Sequence, residues 1–221
     1  PLIVHYSSLE MLKKDCILNK NFTNLYNKFC PGPLTFILKL KKDSKISKFV
    51  TNKKKTLAVR FPSHPIAKGL LKILNYPLAA PSANISSRVS PVTKNHVKEE
   101  FGKKIKYIIE GGLSKIGLES TIINLTGKPE ILRIGSIDIN RLSKALKKKL
   151  LYRKKTYMKV PGQNRLHYSP GIPLRMNCKE ASLDEAFILV KKRNNSNKNF
   201  FYLSKNKNLK EAARNLYSVL R

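Results

Sequence analysis

The sequence predicts an α/β fold: an open sheet with flanking helices, then a linker and a second, small α/β unit. Three observations carry this. Apolar runs with strand character (2–5, 35–40, 56–61) alternate with stretches of helical spacing (22–29, 64–75). Prolines and glycines set hard stops at Pro31-Gly32-Pro33, Pro62 and Gly102. Beyond residue 150 the apolar period disappears over 153–173 and strand–helix alternation then resumes.

The elements follow in order. Leu2 to His5 reads as a strand, Phe22 to Phe29 as a short helix, and TFILKL (35–40) as a strand. The Lys-rich stretch 41–55 is a polar connection. TLAVRF (56–61) alternates and ends at Pro62. HPIAKGLLKILN (64–75) has helical spacing with Pro65 near its start. Pro77 to Ala80 reads as a buried strand, and it runs into PSANISSRVSP (81–91), a run of small hydroxyl and amide side chains without a lysine. Thr93 can cap a helix that ends at Gly102. KYIIEGG (106–112), ESTIINLT (119–126) and EILRIG (130–135) read as strands. Residues 138–150 read as a helix with Asp138 at its positive end and lysines at its negative end. In the second unit PLRMN (173–177), AFILV (186–190) and FFYLS (200–204) read as strands and 208–220 as a helix. The domain boundaries expected are 1–150, a linker over 151–173, and a reduced C-terminal domain over 174–221.

With 221 residues and 41% hydrophobic content, the chain can build a substantial core. No window reaches ~18 consecutive apolar residues, which excludes a transmembrane helix. Three cysteines, widely spaced and without a CxxC pair, argue against a disulfide framework or a zinc site. They fit a reducing cytoplasm, the compartment expected. The formal charge of +32 invites a nucleic-acid reading. However, the lysines are spread over every surface segment and form no stripe interleaved with aromatics. That pattern reads more as codon bias than as a binding face.

Familiar catalytic motifs are absent. There is no GxxxxGK[ST] or GxGxxG loop, no HExxH, no carboxylate cluster and no GxSxG elbow around Ser82. What remains is a set of hydrogen-bond donors at strand ends: His5, Arg60, Ser82, Asn84, Ser120, Thr121 and Arg133. In an open α/β sheet, ligands bind beyond the strand ends. Hydroxyls and backbone N–H groups there form a neutral cradle for phosphate, and one or two arginines add bidentate contacts. Taken singly, each residue has a plainer reading: a surface arginine, turn formers at Ser82 and Asn84, a half-buried His5, and Tyr168 as a linker anchor.

The order of the segments carries more. PLIVHYSS, FCPGPLTFIL, LAVRFPSHPIA, PLAAPSANISSRVSP and ESTIINLTGKPEILRIGSI together resemble the YrdC-like family of threonylcarbamoyl-AMP synthases, over about residues 1–146. PGQNRLHYSPGIPL resembles the linker of the family's long, two-domain form. The resemblance implies a YrdC-like twisted mixed open sheet and a small Rossmann-like C-terminal domain. It implies synthesis of threonylcarbamoyl-AMP and pyrophosphate from L-threonine, bicarbonate and ATP, with Mg²⁺ on the ATP phosphates. A downstream tRNA threonylcarbamoyl transferase would then modify tRNA. His5, Arg60, Ala80 and Ser120 would line the threonine pocket, with Arg60 on the carboxylate. Thr56, Ser82, Ser90 and Arg133 would contact ATP, Asn84 would support the same loop, and Tyr168 would fold over the nucleotide. A non-catalytic module of the same fold that binds double-stranded RNA or tRNA is the alternative. Two departures are expected. The family's first segment, with its TETxYGL-like motif and KxR pair, has no counterpart before Pro1: as a whole protein this chain is expected to be inactive, as an N-terminally truncated fragment it is expected to come from an active parent, and the remnant of a decayed enzyme is a third reading. In addition, Ser87 stands where the family usually carries glycine, a strained choice if the backbone there needs a positive φ.

Overall fold

The computed structural model describes residues 1–152, 168–192 and 198–221. Most of the expected linker, including His167, lies outside the described residues. The chain forms two compact units, each assembled from two stretches: 1–81 with 119–163, and 82–118 with 164–221.

The first unit is built on a mixed sheet. Its strands are β1 (Ile3–His5), β2 (Cys16–Ile17), β3 (Leu34–Leu40), β4 (Thr56–Arg60), β5 (Leu78–Ala80), β6 (Thr121–Asn124) and β7 (Glu130–Arg133). Their order is β5-β1-β4-β3-β6-β7, with β2 paired to β3. β1 runs parallel to β4 and β3 parallel to β6, while the other pairs are antiparallel. The sequence expectation of a mixed open sheet with flanking helices is therefore met.

Strand alternation divides the apolar residues between two faces. One face carries Val4, Phe36, Leu38, Leu57, Val59, Ile123 and Ile131. Helices α1 (Leu9–Asp15), α2 (Lys20–Phe29) and α6 (Ile139–Leu146) supply Leu12, Phe22, Leu25, Leu142 and Leu146 to the same cluster. Phe22 meets Phe36 edge-on, with ring centroids 4.9 Å apart. The other face holds a small apolar patch of Ile37, Ala58, Ile122 and Leu132, with Ile3 against it.

Local chemistry sets the helix starts. Ser8, Asn19 and Asp138 each accept a hydrogen bond from a first-turn N–H, satisfying a donor with no partner inside the helix. The helix expected over 64–75 forms as α4 (Pro65–Ile73), whereas the sequence reading missed α1 and the one-turn α3 (Lys48–Thr51), which lies within the stretch read as a polar connection.

The second unit contains α5 (Lys94–Phe101), the parallel pair β8 (Phe187–Lys191) and β9 (Phe200–Ser204), and α7 (Leu209–Val219). Thr93 caps α5 through the His96 N–H at 3.2 Å, as its position in the sequence predicts. Asn208 caps α7 through the N–H groups of Lys210 and Glu211. Asn215 on α7 donates to the Leu203 carbonyl of β9 at 2.8 Å, tying helix to strand. A small core of Val89, Val92 and Tyr217, joined by Leu118, Tyr168, Leu216 and Leu220, links loop and helix.

Three expected strands differ from expectation. Residues 106–112 form no ladder: Tyr107 and Ile109 are exposed, and Glu110 turns the chain by accepting the Gly112 N–H. β-propensity without a partner strand does not make a strand. Residues 173–177 are likewise irregular, and Asn177 sits at φ 59°, a left-handed conformation that breaks an extended run. β5 forms, but as an edge strand with Ala79 and Ala80 exposed, not as the buried strand its composition suggests.

Candidate functional site

Register assembles a group of polar residues on the second face of the sheet. β1 pairs Ile3 with Ala58 and His5 with Arg60. β3 pairs Thr35 with Arg60 and Ile37 with Ala58. β5 pairs Ala80 with Ile3, and β6 pairs Ile122 with Thr35. Directly paired residues share a face. Hence His5, Thr35, Thr56, Arg60 and Ala80 lie on the same face as the patch formed by Ile37, Ala58 and Ile122. Ser120 joins them one alternation before Ile122. His5, Thr35, Arg60 and Ser120 crowd one end of the sheet. Thr56 lies at the other end of β4, about 13 Å away at the usual rise per residue. Ala80 sits beside Ile3, two residues in from that end.

The hydrogen bonds at this end are specific. Arg60 donates through Nε to the Gly32 carbonyl at 3.2 Å. Among the described residues neither of its Nη groups has a hydrogen-bond partner or a carboxylate. Gly32 is held by its own N–H to the Phe61 carbonyl at 2.8 Å, and a β-carbon there would collide with the Phe29 carbonyl. Arg133 chelates the Ser120 carbonyl through Nε and Nη2 at 3.1 and 2.9 Å, and Nη2 also reaches Ser120 Oγ at 3.0 Å. Ser120 Oγ is 2.7 Å from Thr35 Oγ1, a fully buried hydroxyl. Gly135 makes this wrap possible, since a β-carbon there would come within 2.5 Å of the Glu119–Thr121 backbone. Thr35 and the Gly32 carbonyl were missed in the sequence. The only hint was a lone hydroxyl in a strand that is apolar but for Lys39. Thr121, singled out as a strand-end donor, is instead structural: its hydroxyl donates to the Ile137 carbonyl and accepts the Ile137 N–H.

Electrostatics follow from this crowding. Burial, and then the adjacent Arg60 guanidinium, lower the His5 pKa to about 4, so its imidazole is neutral at physiological pH. Among the described residues its buried Nδ1 has no hydrogen-bond partner. Burial and the repulsion of Arg133 push Arg60 below its ordinary value. Two neighbouring guanidiniums, hydroxyls and a neutral imidazole form a place that an anion would stabilise. Burial pushes the Cys30 thiol up to about 12, so no thiolate nucleophile stands beside them.

The remaining candidates belong to the second unit. Ser82 is exposed. Asn84 donates through Nδ2 to the carbonyls of Ile85 and Arg88 at 2.8 and 3.1 Å, closing a tight loop, while its buried Oδ1 has no partner among the described residues. Ser90 is buried at the loop's exit. Ser87 adopts φ 75°, the left-handed conformation that costs a residue with a β-carbon about 1–2 kcal/mol. Tyr168 stacks on Tyr217 of α7 with ring centroids 5.5 Å apart, and Ser169 donates its N–H to the Ser87 carbonyl at 2.9 Å. Among the described residues no group of three or more His, Cys, Asp or Glu could hold a metal ion, and no helix is long and apolar enough to cross a membrane.

Comparison with known proteins places these features. The Sua5–YciO–YrdC family profile, described as "Telomere recombination", matches residues 1–135. The profile of the threonylcarbamoyl-AMP synthase C-terminal domain matches residues 133–221. The threonylcarbamoyl-AMP synthase of Pyrococcus abyssi is 39% identical over 181 residues, covering 77% of this chain and 52% of that protein. The enzyme of the same name from Schizosaccharomyces pombe is 36% identical over 203 residues, covering 77% and 50%. The chain thus spans about half the length of these curated relatives. In three dimensions it is similar to the crystal structure of P. abyssi Sua5 complexed with L-threonine, with a TM-score of 0.85 and 31% identity over all of this chain and 70% of that one. It is also similar to E. coli YciO, with a TM-score of 0.57 and 28% identity over 64% and 68% of the two chains.

Proposed function

The chain belongs to the Sua5–YciO–YrdC family, and from that premise we propose that its protein is an L-threonylcarbamoyladenylate synthase serving tRNA modification in the cytoplasm. The observation that carries the reading is the pair Arg60 and Arg133 beside neutral His5, on the sheet face shared with Ser120 and Ala80. It lies in a fold similar to one crystallised with L-threonine.

The chemistry asks for positioning and charge relief. The threonine amine condenses with bicarbonate, losing water, to give a carbamate. A carbamate oxygen then attacks the α-phosphorus of ATP, and the bond to pyrophosphate breaks. The products are threonylcarbamoyl-AMP and pyrophosphate, and no side chain is covalently modified. The Nη groups of Arg60 suit a bidentate grip on the threonine carboxylate. His5, neutral and with Nδ1 unmatched, offers a hydrogen bond without adding a third positive charge. Ser120 Oγ, fixed between Thr35 and Arg133, gives the pocket a rigid polar wall. Arg133 stands to relieve charge building on the attacked phosphate. Thr56, Ser82, Asn84, Ser90 and Tyr168 are assigned to the nucleotide. ATP would arrive as its Mg²⁺ complex, the ion being held chiefly by phosphate oxygens. A tRNA threonylcarbamoyl transferase would consume the adenylate.

The test is pyrophosphate release from ATP by the whole encoded protein. Release that requires both L-threonine and bicarbonate supports the reading, and release indifferent to both overturns it. The +32 charge is compatible with a second reading, a non-catalytic module of the same fold that binds double-stranded RNA or tRNA. Salt-sensitive binding of double-stranded RNA without threonine-dependent ATP turnover would select that reading.

A further inference from the structure

One ion pair, built on a buried carboxylate, clasps loop 84–90 at both of its ends. Glu100 lies in the last turn of α5, with its side chain 1% exposed. Its Oε1 accepts the Ile85 N–H at the loop entrance, at 2.7 Å. Its Oε2 accepts Nη2 of Arg221 at 2.6 Å. Arg221 then donates through Nη1 to the Val89 carbonyl at the loop exit, at 2.7 Å, and through Nη2 to the His96 carbonyl at 3.4 Å. Arg88, within the loop, lies 3.8 Å from the same Oε2. Burial alone would push the Glu100 carboxyl up, but the Ile85 N–H and Arg221 outweigh it and hold the group below its ordinary value. The pair is therefore charged.

Packing does little of this work. Ile85 is 42% exposed, and a cavity of about 330 Å³, lined by Arg88, Glu100, Ser169 and Arg221 among others, lies beside the loop. Val89 alone anchors the loop in an apolar cluster. The loop also carries Ser87 at its unfavourable φ of 75°. Such a conformation persists only where its surroundings over-determine it. Arg221, just beyond α7, comes from the far end of the sequence, 121 positions from Glu100.

We propose that Glu100 and Arg221 are positioning residues, through which α7 sets the geometry of the loop bearing Asn84 and Ser90 and thereby the affinity for the ATP phosphates. This rests on the assignment of that loop to ATP. Removing one partner would strand a buried charge, so the main variant removes both: Glu100→Gln with Arg221→Met. Arg221→Lys keeps the charge but cannot span the carboxylate and both carbonyls.

The experiment uses the whole encoded protein and reads half-saturation for ATP and for L-threonine, kcat, and hydrogen exchange of the amides at 85–90. In the double variant the ATP value is expected to rise ~10-fold, the scale of one lost charge-assisted hydrogen bond. The threonine value should be unchanged, and Arg221→Lys should fall between the two. The 85–90 amides should exchange faster in both variants. A merely structural pair would lower the amount of active protein, reducing the rate while leaving both half-saturation values in place. That result overturns the proposal, as does faster exchange with unaltered ATP dependence. If the unaltered protein shows no threonine-dependent turnover, the functional reading is what fails. Exchange at 85–90 still decides the clasp: unchanged protection in the variants removes it, and faster exchange keeps it.

Discussion

His5, Arg60 and Ser120 stand where strand register places them, whereas Asn84 and Ser90 stand where a few side chains hold an irregular backbone. The sheet end is over-determined: five ladders and two apolar clusters fix the positions from which its polar side chains project. Loop 84–90 depends on Asn84, Glu100, Ser169, Arg221 and the buried Val89. The difference teaches where mutations act. At the sheet end a substitution is expected to change side-chain chemistry and leave the backbone geometry intact. In the loop a substitution remote from any ligand changes geometry.

The sharpest way to break this comparison is Arg60→Ala. Threonine affinity is expected to fall by a factor of 100 or more, about 3 kcal/mol for a lost bidentate charge-assisted contact. Melting temperature should change little, because relief of Arg60's burial and of its repulsion by Arg133 offsets the lost bond to the Gly32 carbonyl. Calorimetric titration and a melting curve check both halves. Unchanged threonine affinity would remove Arg60 from the pocket, and a collapsed fold would remove the contrast with the loop.

A comparable effect comes from pH. The folded-state pKa of His5 is about 4, against 6.5 for an ordinary histidine. As pH falls from 6.5 to 4 the unfolded chain takes up this proton first, so stability falls across that window, by at most about 3 kcal/mol. Below pH 4 both states are protonated and the slope from this group ends. Denaturant melts of the natural protein and of His5→Asn should therefore converge at acidic pH. Parallel pH profiles would show that His5 carries no such penalty.

Thr35→Val tests the second layer of the sheet end. It keeps the shape but leaves Ser120 Oγ without its Thr35 partner, at a cost of about 1–3 kcal/mol. Chemical denaturation gives the stability change. Threonine affinity should drop with it, because Ser120 is then held only by Arg133. An undiminished affinity would mean that Ser120 needs no second support.

The smallest effect is expected in the loop. Ser87→Gly relieves the positive φ but frees the unfolded chain, so the net gain is below about 1 kcal/mol. It is read as a small rise in melting temperature. A loss of stability would show that the Ser87 side chain contributes more than its backbone strain removes.

Much of the sheet end was legible because its signals are local. Alternation placed Arg60 at the end of TLAVRF, Pro62 stopped the strand, and Thr93 and Asp138 announced their helices. Signals requiring a partner misled. Residues 106–112 have strand composition but no neighbouring strand, and Ala79 and Ala80 look like core but lie on an edge. Thr121 looked like a ligand donor until its hydroxyl proved to be bound to Ile137.

Periodicity, turn chemistry and segment order, all properties of neighbours along the chain, were enough to determine the fold class, the helix caps and the donors at strand ends. The tertiary structure alone decided which hydroxyls remain for a ligand and which serve the backbone. It likewise decided that Thr35 fixes Ser120, that the His5 imidazole is neutral, and that Glu100 and Arg221 close on loop 84–90. The physical reason is common to all four. Burial, desolvation and charge pairing depend on what lies across space, and a sequence specifies that only after register and packing have brought distant residues together.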